Sequence, residues 1–229
     1  PSILNARSGE SIYLRGVRGT YGDGADAYNY SGALALNFIY TPGSVSLESD
    51  SVILDARNDG QENIVAASLS IEAASVGQST NYLDLDLAEP PEGPGGNLNI
   101  AANEDIYLRE INGNMHVGLV KAENGAIFLK ADGSDGSIYL ELLQAEKGQA
   151  ELWADGSIYG NPPDGEVSIE AVNINLTALN GAIGQAGENL LLDTKASRKL
   201  TVSAQGDIYI EEVSGNLVLN SVASASGKI

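Results

Sequence analysis

Apolar and polar residues alternate in short bursts along almost the whole chain. Leu34-Ala35-Leu36, Val45-Ser46-Leu47, Leu69-Ser70-Ile71, Leu98-Asn99-Ile100, Met115-His116-Val117, Val167-Ser168-Ile169, Leu200-Thr201-Val202 and Leu217-Val218-Leu219 each repeat an apolar residue at the second position. Period-two runs of this length, bounded by Gly, Asn, Asp or Ser, predict short half-buried β-strands rather than helices. In Leu83-Asp84-Leu85-Asp86-Leu87 the alternation is strict, which predicts buried leucines and two aspartates facing water.

One burst recurs together with its flanks. Asp-Gly-Ser-Ile-Tyr occupies Asp135–Tyr139 and again Asp155–Tyr159, with variants at Ser11-Ile12-Tyr13, Asp105-Ile106-Tyr107, Ala126-Ile127-Phe128 and Asp207-Ile208-Tyr209. A longer repeat overlies it. Residues 98–127 align without a gap on 200–229, and Leu98, Ala102, Asp105, Ile106, Tyr107, Glu110, Gly113, Asn114, Val120, Gly125 and Ile127 are identical to their counterparts. Residues 4–15 resemble both segments, and Val76-Gly77-Gln78 is echoed by Ile183-Gly184-Gln185. Fixed-period self-similarity is the mark of a solenoid. The prediction is an all-β chain folded as a single continuous parallel β-helix (β-solenoid), with coils of about twenty residues nested in a super-repeat of about one hundred. The copies run 1–75 (partial), 76–182 and 183–229.

A sandwich of antiparallel hairpins is the rival reading. Against it, Asn-Gly falls between such runs only at Asn112-Gly113, Asn124-Gly125 and Asn180-Gly181, so tight hairpin turns are not systematic. In a β-helix the pleat sends the isoleucines of the repeated motif inward. Tyr13, Tyr107, Tyr139, Tyr159 and Tyr209 then point out, as candidates for lateral contact with a sugar ring or a neighbouring rod. The plainer reading is that tyrosine simply suits exposed sheet faces. Gly113, Gly125, Gly136, Gly156, Gly206 and Gly215 are expected at corners, where positive φ is tolerated without penalty. The largest insertions are 18–31 and 88–97.

Composition narrows the partners. With 31 acidic against 12 basic residues the net charge is −19, which disfavours nucleic acid and anionic lipid. No apolar run is long enough to span a membrane, so no membrane insertion is expected. There is no cysteine, so stability must come from burial. The chain opens at Pro1 without a signal peptide and stops at Ile229 within a repeat. Both ends suggest a fragment of a longer filament, or a protomer that stacks on its own copies.

Material for catalysis is thin. The only histidine, His116, alternates outward, and neither a Gly-x-Ser-x-Gly elbow nor a phosphate-cradling loop is present. Carboxylates are plentiful, and Asp84 with Asp86, Asp132 with Asp135, and Asp23 with Asp26 are candidate pairs for cleaving polysaccharide. An acidic solvated face explains them equally well. Oxygen-rich loops make Asp23, Asp26, Asp132 and Asp135 candidate calcium ligands, although the Gly-Gly-x-Gly-x-Asp nonapeptide of calcium-bound β-rolls is missing. No other cofactor is expected, and no catalytic residue is assigned.

The Gly-Asp-Ile-Tyr-Ile…Gly-Asn-Leu-Val-Leu pattern at 206–219, Asn-Gly-Ala-Ile-Gly at 180–184 and Val172-Asn173-Ile174-Asn175-Leu176-Thr177-Ala178 resemble the repetitive region of filamentous-haemagglutinin-type large exoproteins, the giant bacterial surface adhesins. That resemblance implies a right-handed parallel β-helix, export to the cell surface, and a non-enzymatic role as stalk or adhesive fibre. It also implies partners drawn from neighbouring repeats, copies of the chain, and a host receptor or glycan. Two other readings stay open: a β-helix that binds or cleaves polysaccharide, and a self-stacking fibre subunit.

Overall fold

The computed structural model describes residues 3–21, 28–90, 96–195 and 199–229, and these wind as a parallel β-helix of about eight turns. A typical turn has three straight segments. Residues 115–117 bend at Gly118 into 119–122, a corner follows at 123–126, and Ile127–Ala131 completes the circuit. Ile138–Ala154 is one long continuous strand whose pairing with Ile169–Ala178 shifts register between Ala145 and Gln149. No helix among the described residues is long and apolar enough to cross a membrane.

Parallel in-register pairing places each inward residue on its equivalent one turn away, about 4.8 Å along the axis. Aliphatic side chains therefore form files. One runs Leu14, Leu47, Ile71, Ile100, Val120, Leu143, Ile169, Leu192. A second runs Leu83, Leu108, Leu129, Leu152, Leu176, Val202, Val222. A third joins Met115, Ile138, Ile158, Ile183 and Ile208. Ile12, Ile106, Ile138, Ile158 and Ile208, the isoleucines of the repeated motif, are all buried. Each buried Leu or Ile contributes about 1.5–3 kcal/mol, so files of them hold the tube without disulfides.

The super-repeat and the coil are out of phase. Leu98 pairs with Leu69 and Val117, whereas its counterpart Leu200 pairs with Ile174 and Leu219 on another face. Ile106 likewise belongs to the file of Val76 and Ile127, and Ile208 to that of Ile158 and Ile183. The recurring letters thus encode a corner and the strand after it, and the same unit serves at different corners of the cross-section. Turns also vary in length: the file Ile106, Ile127, Ala150, Ile174, Leu200, Leu219 advances by between 19 and 26 residues per step.

Local geometry adds detail to two of these expectations. Of the six corner glycines, Gly113 (φ 74°) and Gly215 (φ 81°) have positive φ, but Gly125, Gly136, Gly156 and Gly206 do not. At Gly125 and Gly156 the constraint is proximity: an added Cβ would lie 2.2 Å from Glu104 C and 2.4 Å from Asp135 O, backbone atoms of the adjacent turn. Within the 18–31 insertion, Arg18–Tyr21 and Tyr28–Ser31 pair antiparallel as a two-stranded ribbon.

Candidate functional site

The pleat that buries each isoleucine turns the next residue outward, and register decides which outward residues meet. His116, Tyr139 and Tyr159 lie in one file. Tyr139 stacks on His116 at 4.7 Å and 7°, and Tyr159 leans on Tyr139 at 5.4 Å and 33°. On another face Tyr107 stacks on Phe128 at 4.5 Å and 5°, with the edge of Tyr82 against it at 5.7 Å and 76°. Tyr13 and Tyr209 have no ring against them among the described residues, and Tyr13 is 58% exposed. The five predicted tyrosines are thus distributed over separate sites and do not form a single file.

Hydroxyl partners differ as well. Tyr107 and Tyr209 donate to Asp105 Oδ2 (3.3 Å) and Asp207 Oδ2 (3.1 Å). For Tyr209 that carboxylate is the main reason its ionisation is pushed up, whereas burial is the main reason for Tyr107, Tyr139 and Tyr82. The Tyr13 phenol is also raised, chiefly by a hydrogen bond to Glu48. His116 does face outward, but it is packed there. Its Nε2 lies 2.6 Å from Glu89 Oε2, while Glu89 Oε1 accepts from the Asn114 N–H (3.2 Å) and Nδ2 (3.0 Å).

Asp84 and Asp132, members of two of the candidate carboxylate pairs, are both held by basic side chains. Asp84 does not face water: it is 2% exposed. Its oxygens take a bidentate pair from Arg109, Nε to Oδ1 at 2.8 Å and Nη2 to Oδ2 at 2.6 Å. Its backbone N–H donates to Asn63 Oδ1 at 2.9 Å. Burial raises the Asp84 pKa and Arg109 opposes the rise; the same pairing raises that of Arg109. Asp86, two residues on, is half-buried.

Asp132 joins the same cluster, 3.0 Å from Lys130 Nζ and 3.7 Å from Arg109 Nη1. Asp135 occupies a corner at φ 59°, and its N–H donates to Asp155 Oδ2 at 2.8 Å. Asp23 and Asp26 lie outside the described residues. Among the described residues, no group of three or more His, Cys, Asp or Glu is arranged to hold a metal ion.

The chemically most unusual group is one the sequence reading did not single out. Glu110 is fully buried and points into the tube, in file between Leu85 and Ala131. Its Oε2 accepts the Leu87 N–H (3.1 Å) and its Oε1 the Asn112 N–H (3.4 Å). Burial pushes its pKa up to about 8 against the pull of those two donors. Its repeat counterpart Glu212 takes the Thr194 N–H and Oγ1, both at 2.9 Å. A carboxylate fastening the corner of the preceding turn is therefore a device used in both copies. The signal lay in the alternation Ile106-x-Leu108-x-Glu110, which places Glu110 inside.

The chain matches no known family model, no curated protein and no solved structure.

Proposed function

We propose that this chain is a non-enzymatic spacer: a β-solenoid segment of an exported bacterial surface adhesin or filament, which holds a more distal part away from the cell. The observation that carries this reading is the parallel stacking of strands over about eight turns, with a single aliphatic core running through them. About eight strand spacings make a rod of roughly 40 Å. Load along the axis is shared by every ladder of one turn at once. The acidic outer face suits a soluble filament that does not adhere to its like-charged neighbours.

Asp84 and Asp132, the carboxylates best placed to suggest polysaccharide cleavage, are held by Arg109 and Lys130. That disposition favours a structural role for them over acid–base chemistry. Two measurements test the proposal. Stretching the chain between folded handles in a force microscope should give unfolding in steps, turn by turn, at forces typical of load-bearing β-proteins. Incubation with neutral and acidic polysaccharides should release no oligosaccharide; release of products would overturn the spacer reading in favour of an enzyme.

A further inference from the structure

An asparagine followed by glycine carries a reaction of its own. With no Cβ on the second residue, the glycine backbone nitrogen can approach the asparagine side-chain amide carbon. The chain has three such pairs, Asn112-Gly113, Asn124-Gly125 and Asn180-Gly181, each at a corner of the tube. Attack requires the peptide between the two residues to rotate. What holds each corner therefore decides whether the reaction occurs there.

At Asn124 both ends of the side-chain amide are fastened: Nδ2 donates to Asn103 Oδ1 at 2.7 Å, and Oδ1 accepts from Lys147 Nζ at 2.6 Å. Its N–H donates to Asn103 O of the preceding turn at 2.8 Å. Gly125 is buried, and an added Cβ would lie 2.2 Å from Glu104 C. Asn180 is tied to Asp155, Nδ2 to Oδ1 at 3.1 Å and N–H to O at 2.8 Å. Gly181 is half-buried, its added Cβ 2.5 Å from Gly156 C. Asn112 differs in each respect. Its N–H donates to a side chain, Glu110 Oε1, at 3.4 Å, and its Nδ2 to Glu62 Oε1 at 3.3 Å. Both Asn112 and Gly113 are exposed. Gly113 has φ 74°, and its added Cβ would meet nothing nearer than Glu89 Oε1 at 3.3 Å, the far end of a flexible side chain. The next turn faces it with Gly133 and Gly136, which bring no side chain.

We infer that Asn112 is a site of spontaneous self-modification, while the same dipeptide at 124 and 180 is protected by the fold. The Gly113 nitrogen bonds to Asn112 Cγ, the Cγ–Nδ2 bond breaks, and Nδ2 leaves as ammonia with the proton given up by Gly113, closing a succinimide. Water then opens the ring at either carbonyl, giving aspartate or isoaspartate. The product sets a carboxylate opposite Glu62 where an amide had donated. The isoaspartyl form also lengthens the main chain by a methylene just ahead of Asn114, whose N–H and Nδ2 hold Glu89. The inference rests on the geometry of the corners and not on the spacer role, so each can fail without the other.

The test is incubation of the folded full chain in mildly alkaline buffer, with peptide mapping by mass spectrometry and electron-transfer fragmentation to separate aspartate from isoaspartate. Asn112 should convert at least about tenfold faster than Asn124 and Asn180, because those two corners must first open locally. In guanidinium, where the chain is unfolded, the three rates should draw together. Asn112→Gln keeps the amide but requires a larger ring, and it should abolish the early acidic form. Conversion of Asn124 or Asn180 as fast as Asn112 in the folded chain would overturn the inference. So would an Asn112 that stays intact in the folded chain after the unfolded chain has converted, or an early acidic form that persists in Asn112→Gln. An equally wide spread of rates in guanidinium would also overturn it, by tracing the order to neighbouring residues rather than to the fold.

Discussion

Replacing Glu110 by glutamine should stabilise the tube, and by an amount that grows with pH. In the native chain burial holds the Glu110 pKa at about 8 rather than the usual 4.5. As pH rises through that window the unfolded chain gives up its proton first while the native chain retains it, so unfolding becomes progressively easier. Each unit of displacement corresponds to about 1.4 kcal/mol, so the full penalty above pH 8 approaches about 4–5 kcal/mol. Glutamine is neutral throughout and its carbonyl can still accept the Leu87 N–H. Urea unfolding can be followed by the fluorescence of Trp153, the only tryptophan, which lies two turns from Arg109 in the file Arg109, Lys130, Trp153. Between pH 5 and pH 8.5 the advantage of Glu110→Gln over the parent should grow by about 3–4 kcal/mol. Other carboxylates titrate equally in both chains and cancel. An advantage that is the same at both pH values would show that Glu110 is not buried as described.

Arg109→Met should cost about 3–5 kcal/mol in urea unfolding at neutral pH, because it leaves the Asp84 carboxylate buried without its bidentate partner. Ile138→Ala, in the file between Met115 and Ile158, should lower stability by about 2–5 kcal/mol, read as a fall in Tm. Gly156→Ala should separate adjacent turns, since the new Cβ meets Asp135 O at 2.4 Å, and amide exchange at Ser157 should accelerate. Gly9→Ala, with nothing within 4 Å, should leave both stability and exchange unchanged.

What the sequence revealed and what it hid divide along a physical line. The tube, the inward isoleucines and the outward tyrosines follow from alternation and from the internal repeat, both of which are local. The meeting of Tyr139 with His116, and of Tyr107 with Phe128, depends on register, and turns of unequal length conceal register from a linear reading. Asp84 was misread for a related reason. The residues that cover it, Asn63 and Arg109, arrive from neighbouring turns, so the alternation around Asp84 carries no trace of them. Glu110 is the opposite case: alternation placed it inside, and only its charge argued for the surface. The corner glycines were correctly located, but at Gly125 and Gly156 the cause is the nearness of the next turn's backbone, which a single strand of sequence cannot display.

The central claim is that successive turns stack in parallel register around one aliphatic core. It is tested most directly by electron–electron distances between spin labels along one outward file, which a cysteine-free chain makes straightforward. In the file Tyr107, Phe128, Glu151, Asn175, Thr201, Ser221, labels on Ser221 paired in turn with Glu151, Phe128 and Tyr107 lie three, four and five turns apart. The stacked coil predicts backbone separations of about 14, 19 and 24 Å, rising by one strand spacing per turn. Distances that fail to rise in that order would contradict it.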